Sequence, residues 1–243
     1  MRLFGLIGFP LTHSFSKNYF AEKFEKEGLK DCRYENFPLP TIQGLPEILH
    51  NNPDLQGLNV TIPYKESVLQ FLNDSHELVK QTGACNCIKI VNGRLTGYNT
   101  DVPGFEKSIS NVLLAGFKTA LILGTGGAAK AVEFVLKKAG IRYRNVSRKP
   151  SVNHFSYEQI TPAEIGKNKL IINTTPLGMY PNITEAPPIP YDAVTPGHVL
   201  IDLIYNPEKT LFLRKGEEKG AAIQNGYSML VYQAEENWKI WNS

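Results

Sequence analysis

The apolar positions of this chain alternate between two rhythms. Short apolar runs at Arg2–Gly8, Cys32–Phe37, Leu55–Ile62, Ala120–Leu123, Ile141–Val146, Leu170–Ile172, Val199–Leu203 and Ala221–Ile223 read as strands. Between them the spacing becomes helical. Tyr19, Phe20 and Phe24 fall on one face, Leu45 to Leu49 lies in a second helix, and Ala131, Val132, Val135 and Leu136 mark a third. A last helix runs from Met229 to Trp238 and carries Gln233. Asn92-Gly93, inside the stretch Cys85 to Tyr98, predicts a hairpin turn. Asn59 and Thr61 share strand parity and are expected on one face; Pro63 ends pairing, Lys65 begins a helix, and another helix starts near Asp101. Strands alternating with helices predict an α/β protein of two α/β domains, with a C-terminal helix able to return to the first.

The stretch Thr119 to Lys130 organises the second half. A strand buried on both faces runs into Gly124-Thr125-Gly126-Gly127-Ala128-Ala129, then a helix stopped at Gly140, then a second strand. That is one dinucleotide-binding βαβ unit. Gly124 permits the tight turn, Gly126 lets backbone approach a pyrophosphate, and the helix near Gly127 offers N–H groups and a positive dipole end. Ala129 stands at the third fingerprint position and is small enough for close packing. After the second strand an NAD site would carry an acid; here the chain reads Ser147-Arg148-Lys149. Arg148 can grip a 2′-phosphate as a fork and Lys149 adds charge, so the position favours NADP over a solvated basic loop.

Composition narrows the partners. The 243 residues are 42% apolar and 20% charged, with a formal net charge of +3 and no long basic run, so nucleic acid is not implied. No apolar run approaches membrane-spanning length, and MRLFGLIGFP lacks a signal-peptide pattern. The expectation is a cytoplasmic, reduced chain. Cys85 and Cys87 are spaced to face one side of a strand as small buried hydrophobes, and no matching Cys or His pair suggests a metal.

Seven segments together resemble the shikimate dehydrogenase family, a family that includes shikimate/quinate enzymes, over nearly the whole length. They are Ser14-Phe-Ser16, Asn59-Val-Thr61-Ile-Pro63-Tyr-Lys65, Gly83-Ala-Cys-Asn86, Asn99-Thr-Asp101, Gly124 to Ala128, Asn173-Thr-Thr-Pro-Leu-Gly178-Met179, and Gly226-Tyr-Ser-Met229 followed by Gln233. The resemblance implies NADP-dependent, reversible reduction of 3-dehydroshikimate to shikimate, a step toward chorismate and the aromatic amino acids. It implies an N-terminal substrate domain, residues 1–101 completed by the helix 227–243, and a Rossmann-type NADP-binding domain, residues 102–226. Carried over, Ser14 and Ser16 bind the substrate carboxylate with Thr61 and Tyr205. Asn86, Asp101, Lys65 and Gln233 hold ring oxygens, with Asn59 close by, and Lys65 and Asp101 form the catalytic pair. Gly124, Thr125, Gly126, Gly127 and Ala128 hold the pyrophosphate, Ser147, Arg148 and Lys149 face the adenosine phosphate, and Leu203 and Gly226 line the nicotinamide. The expected partner is a small molecule, with the chain a monomer or homodimer. The chain departs from the family at Ser147 and Lys149, where Asn and Thr are usual, at Val102, where Gly is frequent, and in the short segment between Arg148 and Leu170.

Taken singly, these residues have plainer readings. Lys65 reads as a solvated lysine at a helix start, a poor place for a cation. Asp101 suits a helix N-cap, Ser14 and Ser16 suit turns, and Gln233 could face solvent. Reduction of a ketone builds charge on oxygen and needs a donor; a lysine supplies charge and proton, and a neighbouring carboxylate orients it. A quinate or dual quinate/shikimate dehydrogenase and a non-catalytic dinucleotide-binding sensor are the alternatives, since fold alone does not fix function.

Overall fold

The computed structural model describes residues 1–11, 15–148 and 154–243, so Ser14 and Lys149 lie outside the described residues. The chain divides into two compact units, Met1–Pro103 with Gln233–Ser243, and Gly104–Tyr232.

The first unit runs β1 (Arg2–Gly8), α1 (Phe15–Lys26), β2 (Cys32–Pro38), α2 (Leu45–Asn51), β3 (Leu55–Val60), β4 (Asp74–Ser75), α3 (Glu77–Thr82), β5 (Cys87–Val91) and β6 (Arg94–Tyr98). Helix α4 (Asp101–Ser108) leads out of it. Its six strands lie in the order β2-β1-β3-β5-β6-β4. Strands β1, β2 and β3 are parallel, whereas β5 is antiparallel to both β3 and β6. The β5–β6 hairpin turns at Asn92 and Gly93, both at positive φ (51° and 74°), as a two-residue turn requires.

Each face of this mixed sheet has its own apolar layer. Leu3, Ile7, Leu58, Val60 and Ile88 pack with Leu45 of α2 and Val79 of α3 on one side. Phe4 and Leu6 face the other side, toward Phe20 and Phe24 of α1. There Trp238 and Trp241 of the C-terminal helix close the layer, with Trp241 stacked on Phe4 and its Nε1 donating to the Ile88 carbonyl (3.0 Å). An amphipathic helix whose stripe ends in two tryptophans gains its stability from such burial, at roughly 25 cal/mol per Å² of apolar surface.

Two expectations change here. Cys85 and Cys87 do not share a face. Cys85 precedes β5 and packs in the first layer, while Cys87 packs in the second. Both are buried free thiols, and burial pushes the Cys85 thiol up to about 12. Lys65 does not begin a helix. It lies in a turn before a short 3-10 segment, Ser67–Phe71, and its carbonyl accepts the Cys85 N–H (2.7 Å) instead of a helical bond.

The second unit continues with α5 (Ser110–Leu114), β7 (Thr119–Leu123), α6 (Gly127–Lys138), β8 (Arg142–Val146), β9 (His154–Phe155), α7 (Pro162–Lys167), β10 (Leu170–Asn173), β11 (Val199–Asp202), α8 (Leu211–Glu218) and β12 (Ala222–Gln224). Its six strands are all parallel, in the order β12-β11-β10-β7-β8-β9. Parallel strands are buried on both faces, which explains the unbroken apolar runs Ala120–Leu123 and Leu170–Ile172. Leu121, Leu123, Ile171, Leu200, Ile165 and Phe212 form the layer on one face. Ala129, Ala131, Val132, Val135 and Leu136 are the buried face of α6. The last helix, α9 (Tyr227–Asn242), starts in this unit and ends in the first.

Candidate functional site

In the first unit a polar cluster is buried at the ends of β3, β5 and β6. The Lys65 ammonium meets Asp101 Oδ2 at 2.6 Å. The pair is largely removed from solvent, with side-chain exposures of 16% and 7%. Asp101 is in the first turn of α4 but does not cap it; the Val102 N–H goes to Asn99 Oδ1 (3.2 Å). The other carboxylate oxygen of Asp101 accepts from Asn86 Nδ2 (2.9 Å). Asp101 is thus held from two sides, and its plainer reading as a helix cap loses its basis. A buried ion pair of this kind is costly to leave half-made, about 3–5 kcal/mol when one partner is removed.

Asn86 is fixed in turn. Its Oδ1 accepts the Thr100 N–H (2.7 Å), and its Nδ2 also faces Gln233 Oε1 (3.4 Å). Gln233 is buried on α9 and does not face solvent. Asn59 is buried with Oδ1 accepting from the Tyr34 hydroxyl (2.7 Å), and Tyr34 is hydrogen-bonded to Ser16 in the first turn of α1. Burial raises the Tyr34 phenol well above its ordinary value, which keeps it a donor. Thr61 follows β3 and remains half-buried. The first unit therefore contains Ser16, Asn59, Thr61, Lys65, Asn86, Asp101 and Gln233; Tyr205 belongs to the second unit, with Leu203.

The second unit presents the glycine turn. Gly124 has φ +118°, and a Cβ there would press on Thr174, so only glycine fits. Gly126 precedes α6 with no side-chain cap on the helix, and a Cβ there would meet nothing within 4 Å. Open space beside uncapped N–H groups fits a dinucleotide pyrophosphate. Thr125, Gly127 and Ala128 complete this turn and the start of α6. Asn145, buried at the end of β8, pins the turn by donating to the Gly124 carbonyl (3.1 Å) and to Glu133 (2.7 Å). Ser147 is half-buried and its N–H donates to the Phe155 carbonyl, while the Arg148 guanidinium is exposed and makes no ion pair among the described residues. Arg148 stands at a cavity of about 570 Å³ that Tyr157, Leu177, Ile189 and Lys215 also line. An apolar wall with cations at its edge suits a purine carrying a phosphate.

Sequence reasoning missed the group that holds the next loops. Asp202, at the end of β11, is fully buried. Its carboxylate accepts from Asn173 Nδ2 (3.0 Å), the Ile204 N–H (3.0 Å) and the Thr210 hydroxyl (2.6 Å). No cation pairs with it among the described residues, and burial pushes it up to about 7 despite the three donors. At the next residue, Leu203, the backbone is approached by Gly226 so tightly that a Cβ there would collide with the Leu203 carbonyl. A charged residue ending an apolar parallel strand was the available signal, since ligands of such sheets gather at the carboxyl ends of strands.

A parallel sheet with a glycine turn, joined in one chain to a unit holding a buried Lys–Asp pair, defines the class of two-domain dinucleotide-dependent proteins. Comparison with known proteins gives the family. The shikimate dehydrogenase substrate binding domain matches residues 6–88. A shikimate dehydrogenase (NADP(+)) of Caldicellulosiruptor saccharolyticus is 38% identical, over 99% of this chain and 92% of that relative. The chorismate mutase/shikimate 5-dehydrogenase fusion protein of Clostridium acetobutylicum superposes with TM-score 0.87 at 36% identity, over 100% of this chain and 91% of that one. The shikimate 5-dehydrogenase of Thermus thermophilus, solved in complex with NADP(H) and shikimate, gives TM-score 0.87 at 30% identity, over 99% and 93%. The chain belongs to the shikimate dehydrogenase family.

Proposed function

We propose that the protein catalyses the reversible, NADP-dependent reduction of 3-dehydroshikimate to shikimate, in aromatic biosynthesis. The single observation that carries the reading is the buried Lys65–Asp101 pair at 2.6 Å, braced by Asn86. When bound, the reduced nicotinamide supplies hydride to the ketone carbon.

Lys65 supplies the proton. As the carbonyl becomes an alkoxide, the ammonium stabilises the growing charge and gives up one proton; in the reverse direction the amine takes it from the hydroxyl. Asp101 holds the ammonium in one place, and Asn86 prevents the carboxylate from turning. Ser16, positioned by Tyr34, and Ser14 take the substrate carboxylate with Thr61 and Tyr205, while Gln233 and Asn86 hold ring oxygens and Asn59 supports them. Gly124 to Ala128 hold the pyrophosphate, Ser147, Arg148 and Lys149 the adenosine phosphate, and Leu203 and Gly226 the nicotinamide. The three free cysteines support a reducing, cytoplasmic setting, and the reading includes a monomer or homodimer.

Steady-state oxidation of shikimate with NADP, followed by the absorbance of the reduced nicotinamide, tests the reading. Turnover is expected; NADP binding without turnover would leave a sensor. Quinate adds a hydroxyl next to the carboxylate, close to Ser14 and Ser16, and a pocket rejects an added hydroxyl by about 10²-fold. A higher kcat/KM for shikimate with weak quinate oxidation is expected, and equal values would make this a dual enzyme.

A further inference from the structure

The Gln233 amide can offer a substrate oxygen either its carbonyl or its NH₂, and the difference decides whether the contact is attractive. Its orientation follows from a chain of hydrogen bonds that begins at a backbone group. The Thr100 N–H can only donate, and it donates to Asn86 Oδ1 (2.7 Å). Asn86 must therefore turn its NH₂ toward Thr100 Oγ1 (3.0 Å) and toward Asp101 Oδ1 (2.9 Å), a carboxylate oxygen that accepts. The Thr100 hydroxyl then has two acceptors in reach, Asn86 Oδ1 (3.2 Å), which already takes the Thr100 N–H, and Asn237 Oδ1 (2.6 Å), and the much shorter contact to Asn237 receives its proton. Asn237 is thereby oriented with its NH₂ toward Gln233 Oε1 (3.0 Å), the same oxygen that Asn86 Nδ2 faces. The Gln233 carbonyl is engaged within the protein, and Nε2 is on the opposite side of the amide.

We propose that Thr100 and Asn237 are positioning residues that fix the polarity of Gln233, so that it presents a donor to a ring oxygen of the substrate. The inference rests on the reading of Gln233 as a substrate ligand. Both residues are buried, at 1% and 0% exposure, so neither can touch bulk solvent as an alternative partner. Asn237 is one helical turn beyond Gln233 on α9, which is the spacing that lets the two amides meet. A donor is also the polarity that serves both directions of the reaction. A ketone oxygen only accepts, and a hydroxyl oxygen can accept as well.

The test is a mutant cycle read on the KM for shikimate, with kcat, the Kd for NADP and the thermal midpoint measured alongside. Asn237→Leu removes the donor to Gln233, and Thr100→Val removes the hydroxyl at constant shape. Each is expected to raise the KM for shikimate roughly 3- to 30-fold, with a smaller change in kcat and an unchanged Kd for NADP. Thr100→Ser, which keeps the hydroxyl, is expected to stay within about twofold of wild type in KM. In a Gln233→Ala background, Asn237→Leu should add less than about twofold, because the interaction it orients is already gone. An equal effect with and without Gln233 would make Asn237 a packing residue and overturn the proposal. So would unchanged KM values in Asn237→Leu and Thr100→Val while Gln233→Ala raises it, an outcome that leaves Gln233 as a ligand. An unchanged KM in Gln233→Ala removes the ligand reading itself, and the proposal falls with it. If Asn237→Leu does not fold, the Thr100→Val and Thr100→Ser pair answers the same question.

Discussion

Among the described residues each unit buries one carboxylate, Asp101 in the first and Asp202 in the second, and the two are treated in opposite ways. Asp101 meets a lysine at 2.6 Å and an amide at 2.9 Å. Asp202 meets an amide, a backbone N–H and a hydroxyl, and no cation among the described residues. Neutral donors satisfy the oxygens of Asp202 but do not replace the hydration of a charge, so burial raises it to about 7. Neutral hydrogen bonds suffice to hold the loops around Asp202, whereas Asp101 is given a counter-charge. The first arrangement is the one we propose as the proton carrier, and the second ties the Asn173 loop to the segment that carries Leu203 and Tyr205.

The comparison can be broken at its strongest point first. Lys65→Ala is expected to lower turnover by roughly 10²–10⁴ while the Kd for NADP stays at the wild-type value. Stopped assays and a cofactor titration measure the two quantities, and wild-type turnover in this variant would remove Lys65 from the mechanism.

Asp202→Asn addresses the other carboxylate. The folded carboxyl keeps its proton to about pH 7, whereas the unfolded one releases it near 3.8. Between those values the folded state binds more protons, so this group makes stability fall as pH rises from about 4 to about 7, by on the order of 4 kcal/mol. An asparagine keeps an acceptor for Asn173 and Ile204 and can donate to Thr210. Denaturant midpoints measured across that window should therefore decline less steeply in Asp202→Asn than in wild type. Parallel slopes would show that Asp202 ionises as it does in the unfolded chain.

The smallest effect concerns a cation that has no internal counter-charge among the described residues. Arg148→Ala is expected to weaken NADP by about 1.5–3 kcal/mol, the worth of a hydrogen bond to a charged group, and to leave NAD nearly unchanged. Titration of both dinucleotides checks this, and equal affinity of the wild type for NAD and NADP would contradict the reading of this loop.

How far the sequence reveals such features depends on what constrains them. The glycine turn is legible because backbone conformation and close approach leave no other residue possible at Gly124. The parallel strands are legible because both of their faces are apolar. The helix start expected at Lys65 is replaced by a turn whose Lys65 carbonyl is claimed by Cys85, a long-range bond that no local pattern announces. Asp202 is hidden inside the apolar run Val199–Leu203, since a strand reading counts the run and passes over its one charge. Asn237 carries a spacing signal from Gln233, but an amide has no motif; only the polarity of its neighbours gives it meaning. The parity argument for Cys85 and Cys87 fails because Cys85 precedes the strand that would have imposed it.

The closure of the first sheet by Trp238 and Trp241 sets a timetable for synthesis. A chain leaves the ribosome from its N-terminus, and domains generally fold as units in that order. Here residues 104–232 are all available before 233–243 emerge, so the unit encoded second is the first whose chain is complete. Until the last helix is out of the ribosome, the Phe4, Phe20 and Phe24 face lacks its tryptophan cover. The apolar layer on that face of the first sheet is therefore complete only once the last helix has folded back onto it.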